Sequence, residues 1–212
     1  MKTDDLIGSL VADQDRPPTS SRRTFAFALP LALLVAYGVF RTFLEMRPDF
    51  GDALMTWRYD FKILVAASVA AFGTLLLFHM ARPQTAPRTA LKWILLALVP
   101  LGLGLLLEMV MLPMDQWPAS AMGFNPVYCL TMVPLMAVGP LGAALLALRH
   151  GAPQSPTVAG AIAGFAAGGI GALLYAVHCD NDSPFYVAIW YLGAIGIVTA
   201  VGAVLGRLCL RW

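Results

Sequence analysis

Six apolar segments, each long enough to cross a bilayer, fill most of this chain and leave only about two dozen residues at the front outside them. A helical span needs roughly 20 mostly apolar residues. Segments of that length occur at 25–44, 63–80, 93–112, 126–148, 157–177 and 185–208. Strands of a membrane barrel would be about ten residues long and alternate in polarity. These segments do neither, so helices are the spanning solution that satisfies every backbone polar group. A mean hydropathy of +0.74 with 12% charged residues lies outside the range of soluble domains. The expected fold is all-α: a polytopic bundle of six transmembrane helices with short loops, preceded by a short amphipathic helix.

The connections are brief and carry turn chemistry, as in Arg47-Pro48-Asp49-Phe50-Gly51, Arg82-Pro83, Gly151-Ala152-Pro153 and Asn181-Asp182-Ser183-Pro184. Residues 1–24 are expected to form a polar head and 25–212 a single transmembrane domain.

Six spans put both termini on one side. That side carries Lys2, Arg16, Arg22, Arg23, Arg82, Arg88, Lys92, Arg149, Arg207 and Arg211, against Arg41, Arg47, Arg58 and Lys62 on the other. The positive-inside rule then predicts both termini in the cytoplasm. Most Trp and Tyr residues gather near the opposite boundary, in the manner of an interfacial belt. The front segment holds four acids and no apolar core, so it is not expected to be a signal peptide.

Within the head, Thr3-Asp4-Asp5 offers an N-cap and an acidic first turn. Leu6, Ile7, Leu10 and Val11 follow on one helical face, and Pro17-Pro18 ends the run. About three turns of helix are too few to stand alone in water. The stripe therefore needs a surface, either the membrane and bundle or a partner protein. Membrane-surface helices usually have basic polar faces, and this one carries Asp4, Asp5 and Asp13.

Topology sorts the three cysteines. Cys129 lies about one turn into the fourth span, Cys179 opens the last outer loop, and Cys209 is a membrane thickness away from both. Outer thiols meet a compartment where they oxidise or ligate incoming soft metals. His178 and Asp180 flank Cys179 and add nitrogen and oxygen ligands. The alternative is that each cysteine is a small apolar filler. No C-x-x-C pair is present, and no resident metal or cofactor is expected.

Charges inside spans are costly and usually functional. Arg41 in the first span and Glu108 in the third both lie about 23 Å from the terminal face at 1.5 Å per residue, a depth at which they are expected to pair across the bundle. Arg41 with Glu45, one turn on, is the local alternative. Gly160, Gly164 and Gly168, with Gly202 and Gly206 in the last span, have the spacing of tightly packed helices.

The opening Met1-Lys2-Thr3-Asp4-Asp5-Leu6-Ile7, the six spans, Cys129, and the run His178-Cys179-Asp180-Asn181-Asp182-Ser183-Pro184-Phe185 followed by Ile189-Trp190-Tyr191 together resemble the NrsF family, negative regulators of sigma F. The resemblance covers the whole chain. It implies a bacterial inner-membrane anti-sigma factor, not an enzyme, that holds an extracytoplasmic-function sigma factor and makes no direct nucleic-acid contact. It further implies a response to heavy metals or oxidants that requires two cysteines, by position Cys129 and Cys179. No metal would be held at rest, and a soft metal would bind those two thiols only transiently. In that frame Asp4, Asp5, Leu6, Ile7, Leu10 and Val11 would bind the sigma factor. The competing classes are a small membrane transporter and a thiol-redox membrane enzyme. The first lacks a mid-membrane polar cluster, and the second lacks a C-x-x-C or His-rich pattern.

Overall fold

A computed structural model describes residues 20–82 and 88–210. The head helix expected around residues 4–11 lies outside the described residues. Six long helices make the architecture: α1 (Ser21–Phe43), α2 (Trp57–Met80), α3 (Arg88–Met111), α4 (Pro126–Leu148), α5 (Pro156–Tyr175) and α6 (Pro184–Cys209). All six are long and apolar enough to cross a membrane, and no strand occurs among the described residues.

The helices run further than hydropathy alone predicts. α2 begins at Trp57 rather than at residue 63, because Thr56 caps it by accepting from the Tyr59 amide. The charged first turns also find carboxylates: Arg58 pairs with Glu108 and Lys62 with Asp182. The connection after α3 is more than a turn. It holds a 3-10 turn, Met114–Gln116, and a short helix, Trp117–Met122, with a proline in its first turn where no amide is needed.

α5 is the axis of the bundle and its most buried span. It packs on α6, α2 and α4, while α1 lies mainly against α4 and α3 mainly against α2. Its composition explains this position. A Cβ on Gly160 would collide with the Gly202 carbonyl of α6, one on Gly169 would sit 2.6 Å from the Ala70 amide of α2, and one on Gly171 would sit 2.6 Å from the Val133 carbonyl of α4. Glycines on three sides of a single helix let three neighbours approach its backbone, as the four-residue glycine spacing implies for the α6 contact.

The bundle has two buried clusters, one near each end. The end that holds Ser21, Met80, Leu148 and Leu210, here the terminal end, is filled by Phe25, Leu76, Leu77, Leu148, Ile162 and several alanines. The opposite end holds Cys129, Cys179, Tyr175, Tyr186, Tyr191 and Met136, and is called here the cysteine end. There α6 departs from α geometry. Val187–Tyr191 forms a π turn just after Pro184, a distortion that often marks a functional segment.

Candidate functional site: two buried thiols under a charge network

Cys129 sits in the first turn of α4 and Cys179 follows α5. Both are buried, at 0% and 3% exposure, and both are free thiols. They belong to the same buried cluster as Tyr175, Tyr186 and Tyr191. The tyrosine rings pack as a group, with centroids 5.9 Å apart for Tyr175–Tyr191 and 6.4 Å for Tyr186–Tyr191. The π turn lies between Tyr186 and Tyr191 and aims both rings inward. Their hydroxyls are buried and make no hydrogen bond. Cys209 is exposed at the terminal end.

Above the thiols lies a feature that sequence reasoning missed. Lys62, fully buried on α2, donates from Nζ to the Cys179 carbonyl at 2.6 Å and to Asp182. Arg47, from the loop after α1, donates to the same carbonyl at 3.3 Å and to both Asp182 oxygens at 3.0 and 2.9 Å. Its other face forms a fork with Asp49, at 2.8 Å on each arm. Such bidentate pairs are the stronger class of charged hydrogen bond. Tyr59 serves both cations, with Arg47 5.4 Å and Lys62 5.1 Å from its ring centre.

Two cations and two carboxylates balance, as burial of charge requires. The hydrogen bond to Asp49, then those to Asp182, push the Arg47 guanidinium further up from its ordinary value. Arg47 in turn draws the Asp49 carboxyl down to about 2. The clue in the sequence was faint. Lys62 abuts the apolar run that starts at residue 63, where a lysine reads as a snorkelling boundary residue. Arg47 and Asp182 look like ordinary loop charges.

The cysteine loop is also tied to the short helix after α3. Asn181 exchanges two hydrogen bonds of 2.9 Å with the backbone of Phe124, and Ser120 meets Ser183 at 2.7 Å. A Cβ on Gly123 would lie 2.5 Å from both Asn181 Oδ1 and the Tyr186 ring, and Gly123 has φ +55°, so glycine serves both the turn and the close approach. Beside this contact an open cleft of about 780 Å³ is lined by Thr56, Arg58, Glu108, Ser120, Asp182 and Ser183.

Other expected site residues go elsewhere. The His178 ring is engaged by other groups: its Nδ1 donates to the Glu45 carbonyl at 2.6 Å and it packs against Tyr128 and Tyr175. Asp180 is exposed and accepts from Asn181 at 3.4 Å. Among the described residues no three of His, Cys, Asp and Glu converge as a metal site. Cys129 and Cys179 share the buried cluster of the cysteine end.

The expected Arg41–Glu108 pair is corrected. Glu108 is buried and pairs with Arg58, whose Nε and Nη2 each lie 3.1 Å from its carboxylate. Arg41 is exposed and enters none of the ion pairs among the described residues. Equal depth was the wrong criterion. α3 lies against α2, which carries Arg58, whereas α1 lies against α4.

The family profile described as "Negative regulator of sigma F", NrsF, matches residues 10–212. The chain belongs to the NrsF family. It is 28% identical over 218 residues to "Probable anti-sigma-F factor NrsF" of Azospira oryzae and 29% identical over 220 residues to "Anti-sigma-F factor NrsF" of Caulobacter vibrioides, with all of each chain covered in both cases. No solved structure matches it. Membership in NrsF makes the chain a regulatory protein rather than an enzyme.

Proposed function

We propose that this chain is an anti-sigma factor of the inner membrane. It holds an extracytoplasmic-function sigma factor through residues 1–24 and releases it when Cys129 and Cys179 react. The observation that carries the regulatory reading is the family match over residues 10–212. The basic residues concentrated at the terminal end support cytoplasmic termini. The stripe of Leu6, Ile7, Leu10 and Val11, with Asp4 and Asp5 beside it, supplies an apolar face and an acidic rim for a basic partner.

The sensing step takes one of two balanced forms. In oxidation, the two thiols give up two electrons and two protons to a peroxide, which leaves as two waters while a disulfide forms. In ligation, a soft metal displaces both thiol protons. Each form requires access to sulfur atoms that are nearly covered, so the loop at 176–183 has to open. Lys62, Arg47 and Asp182 hold that loop shut. Lys62 belongs to α2, whose other end is Met80 at the terminal end. In this reading, loss of the grip on Cys179 is felt by α2 and so reaches the side where the sigma factor docks. Such coupling requires that α2 have two arrangements.

A sigma-dependent reporter tests the proposal, read with and without a peroxide or a thiol-binding metal. Leu10→Asp should give constant expression and lose the sigma factor in a pull-down from detergent, because it places a charge in an apolar docking face. Serine at both Cys129 and Cys179 should keep repression and abolish induction. Full induction of the double-serine protein would refute the sensor assignment. Intact binding by Leu10→Asp would move the docking site to the loops of the terminal end.

A further inference from the structure

The terminal end holds a pocket that the regulatory reading does not use. It has a volume of about 340 Å³ and is built by Ser21 and Arg22 of α1, Phe78 of α2, Arg82 after α2, and His150 and Gly151 after α4. We propose that it binds a phosphate group, that of an anionic lipid headgroup in the membrane around the bundle. The proposal rests on the six-span architecture and on the membrane orientation proposed above, and is independent of the sigma factor.

Three observations point to this ligand. First, the two arginines are of one sign and unpaired among the described residues. Arg22, Arg82 and His150 come from three chain segments. At the cysteine end, by contrast, both buried cations have carboxylates. The acids within the described residues, Glu45, Asp49, Asp52, Asp60, Glu108, Asp115, Asp180 and Asp182, belong to the other end of the bundle.

Second, the pocket is built rather than incidental. The Arg22 guanidinium lies 5.7 Å over the Phe78 ring, which meets Phe25 edge-on at 5.4 Å. The Ala152 amide donates to the Ala81 carbonyl at 3.2 Å and fastens the two loops together. A Cβ at Gly151 would sit 2.8 Å from that carbonyl.

Third, the place fits a headgroup. The pocket is at the ends of spans α1, α2 and α4, with Phe78 in its wall, and the ends of membrane spans lie near the headgroup layer. Basic pockets between spans on the cytoplasmic side of a bilayer bind phosphate headgroups, and the orientation proposed above puts this end there. The acidic segment at residues 4–15 is the rival occupant.

The experiment uses the full chain, titrated in detergent with phosphatidylglycerol or phosphatidylcholine and read by native mass spectrometry. The expected result is retention of one phosphatidylglycerol in preference to phosphatidylcholine. Arg22→Gln with Arg82→Gln should weaken it roughly 30-fold, the loss expected for two basic residues near a headgroup. Lys92→Gln with Arg207→Gln removes two exposed charges at the same end but outside the pocket, and should change retention little. All four positions are exposed or outside the core, so unfolding temperatures should match the parent.

Equal losses in both double variants would reduce the effect to general surface attraction and overturn the site. So would equal retention of the two lipids. Inorganic phosphate that displaces phosphatidylglycerol at equal concentration would make free phosphate the ligand and overturn the lipid assignment. Retention seen only after Asp4, Asp5, Asp13 and Asp15 are changed to Asn would make the acidic segment the occupant and overturn it equally.

Discussion

The two ends of the bundle are held by opposite means. At the cysteine end, long-range hydrogen bonds and ion pairs join three chain segments around one carbonyl. At the terminal end, alanine, leucine and glycine backbones pack closely and the cations stay exposed. Packing of small residues is continuous and tolerant, because many weak contacts share the load. A buried charge network is all-or-none, because removing one member leaves its partner desolvated and alone. The end expected to change state is therefore the one built to lose its order abruptly.

The largest effect should come from Asp182→Ala. It strands Lys62 in the core with the Cys179 carbonyl as its remaining oxygen partner. Breaking a buried pair from one side costs about 3–5 kcal/mol, so the unfolding temperature in detergent should fall steeply. A loss under about 1 kcal/mol would mean that the network is not what holds this end. Next should come Gly160→Val at the terminal end, where a side chain meets the α6 backbone. Overpacking of that kind costs about 1–3 kcal/mol. If this variant proved the more damaging of the two, the contrast between the ends would be reversed.

The legibility of the molecule in its sequence follows the same divide. Spans are read from runs of apolar residues, and α5 advertises its central place through Gly160, Gly164 and Gly168, because a glycine every four residues has few other uses in a membrane helix. Cys129 and Cys179 could be placed on one face by counting depth. Depth says nothing about azimuth, so equal depth pairs Arg41 with Glu108 while Arg58, at the start of the neighbouring helix, holds that carboxylate. Lys62 was invisible for a related reason. A lysine at a span boundary snorkels outward in most contexts, and only the loop from Cys179 to Asp182, well over a hundred residues away, turns it inward. The π turn at Val187–Tyr191 has no sequence signature that distinguishes it from the helix around it.

Two smaller predictions sharpen the comparison. The Asp49 carboxyl is drawn below its ordinary value of 3.8 to about 2 by the Arg47 fork. A depressed carboxyl lends stability above its unfolded value and loses it as pH falls through the folded one. Thermal stability should therefore carry no Asp49 contribution to pH dependence above about 5, and should decline between 3.8 and about 2. Asp49→Asn should remove that portion of the decline, seen in melting curves at matched ionic strength. An unchanged acid limb would place the sensitivity in another carboxylate. Least of all should Arg41→Gln matter, since its side chain is exposed and unpaired among the described residues. A shift within about 0.5 kcal/mol is expected of such a site. A double-mutant cycle should give no coupling between Arg41 and Glu108 but a measurable one between Arg58 and Glu108.

Lys62 and Arg47 grip the main chain of Cys179 and not its sulfur. No side-chain substitution at position 179 removes the oxygen they hold. Under the proposed sensing role, the reactive atom and the mechanical handle belong to one residue but answer to different mutations: a serine there should silence the chemistry and leave the handle in place, whereas a change at Lys62 should loosen the handle and leave the thiol. Genetics can therefore score trigger and linkage separately, and a suppressor of the serine variant would be sought among the cations, not among the cysteines.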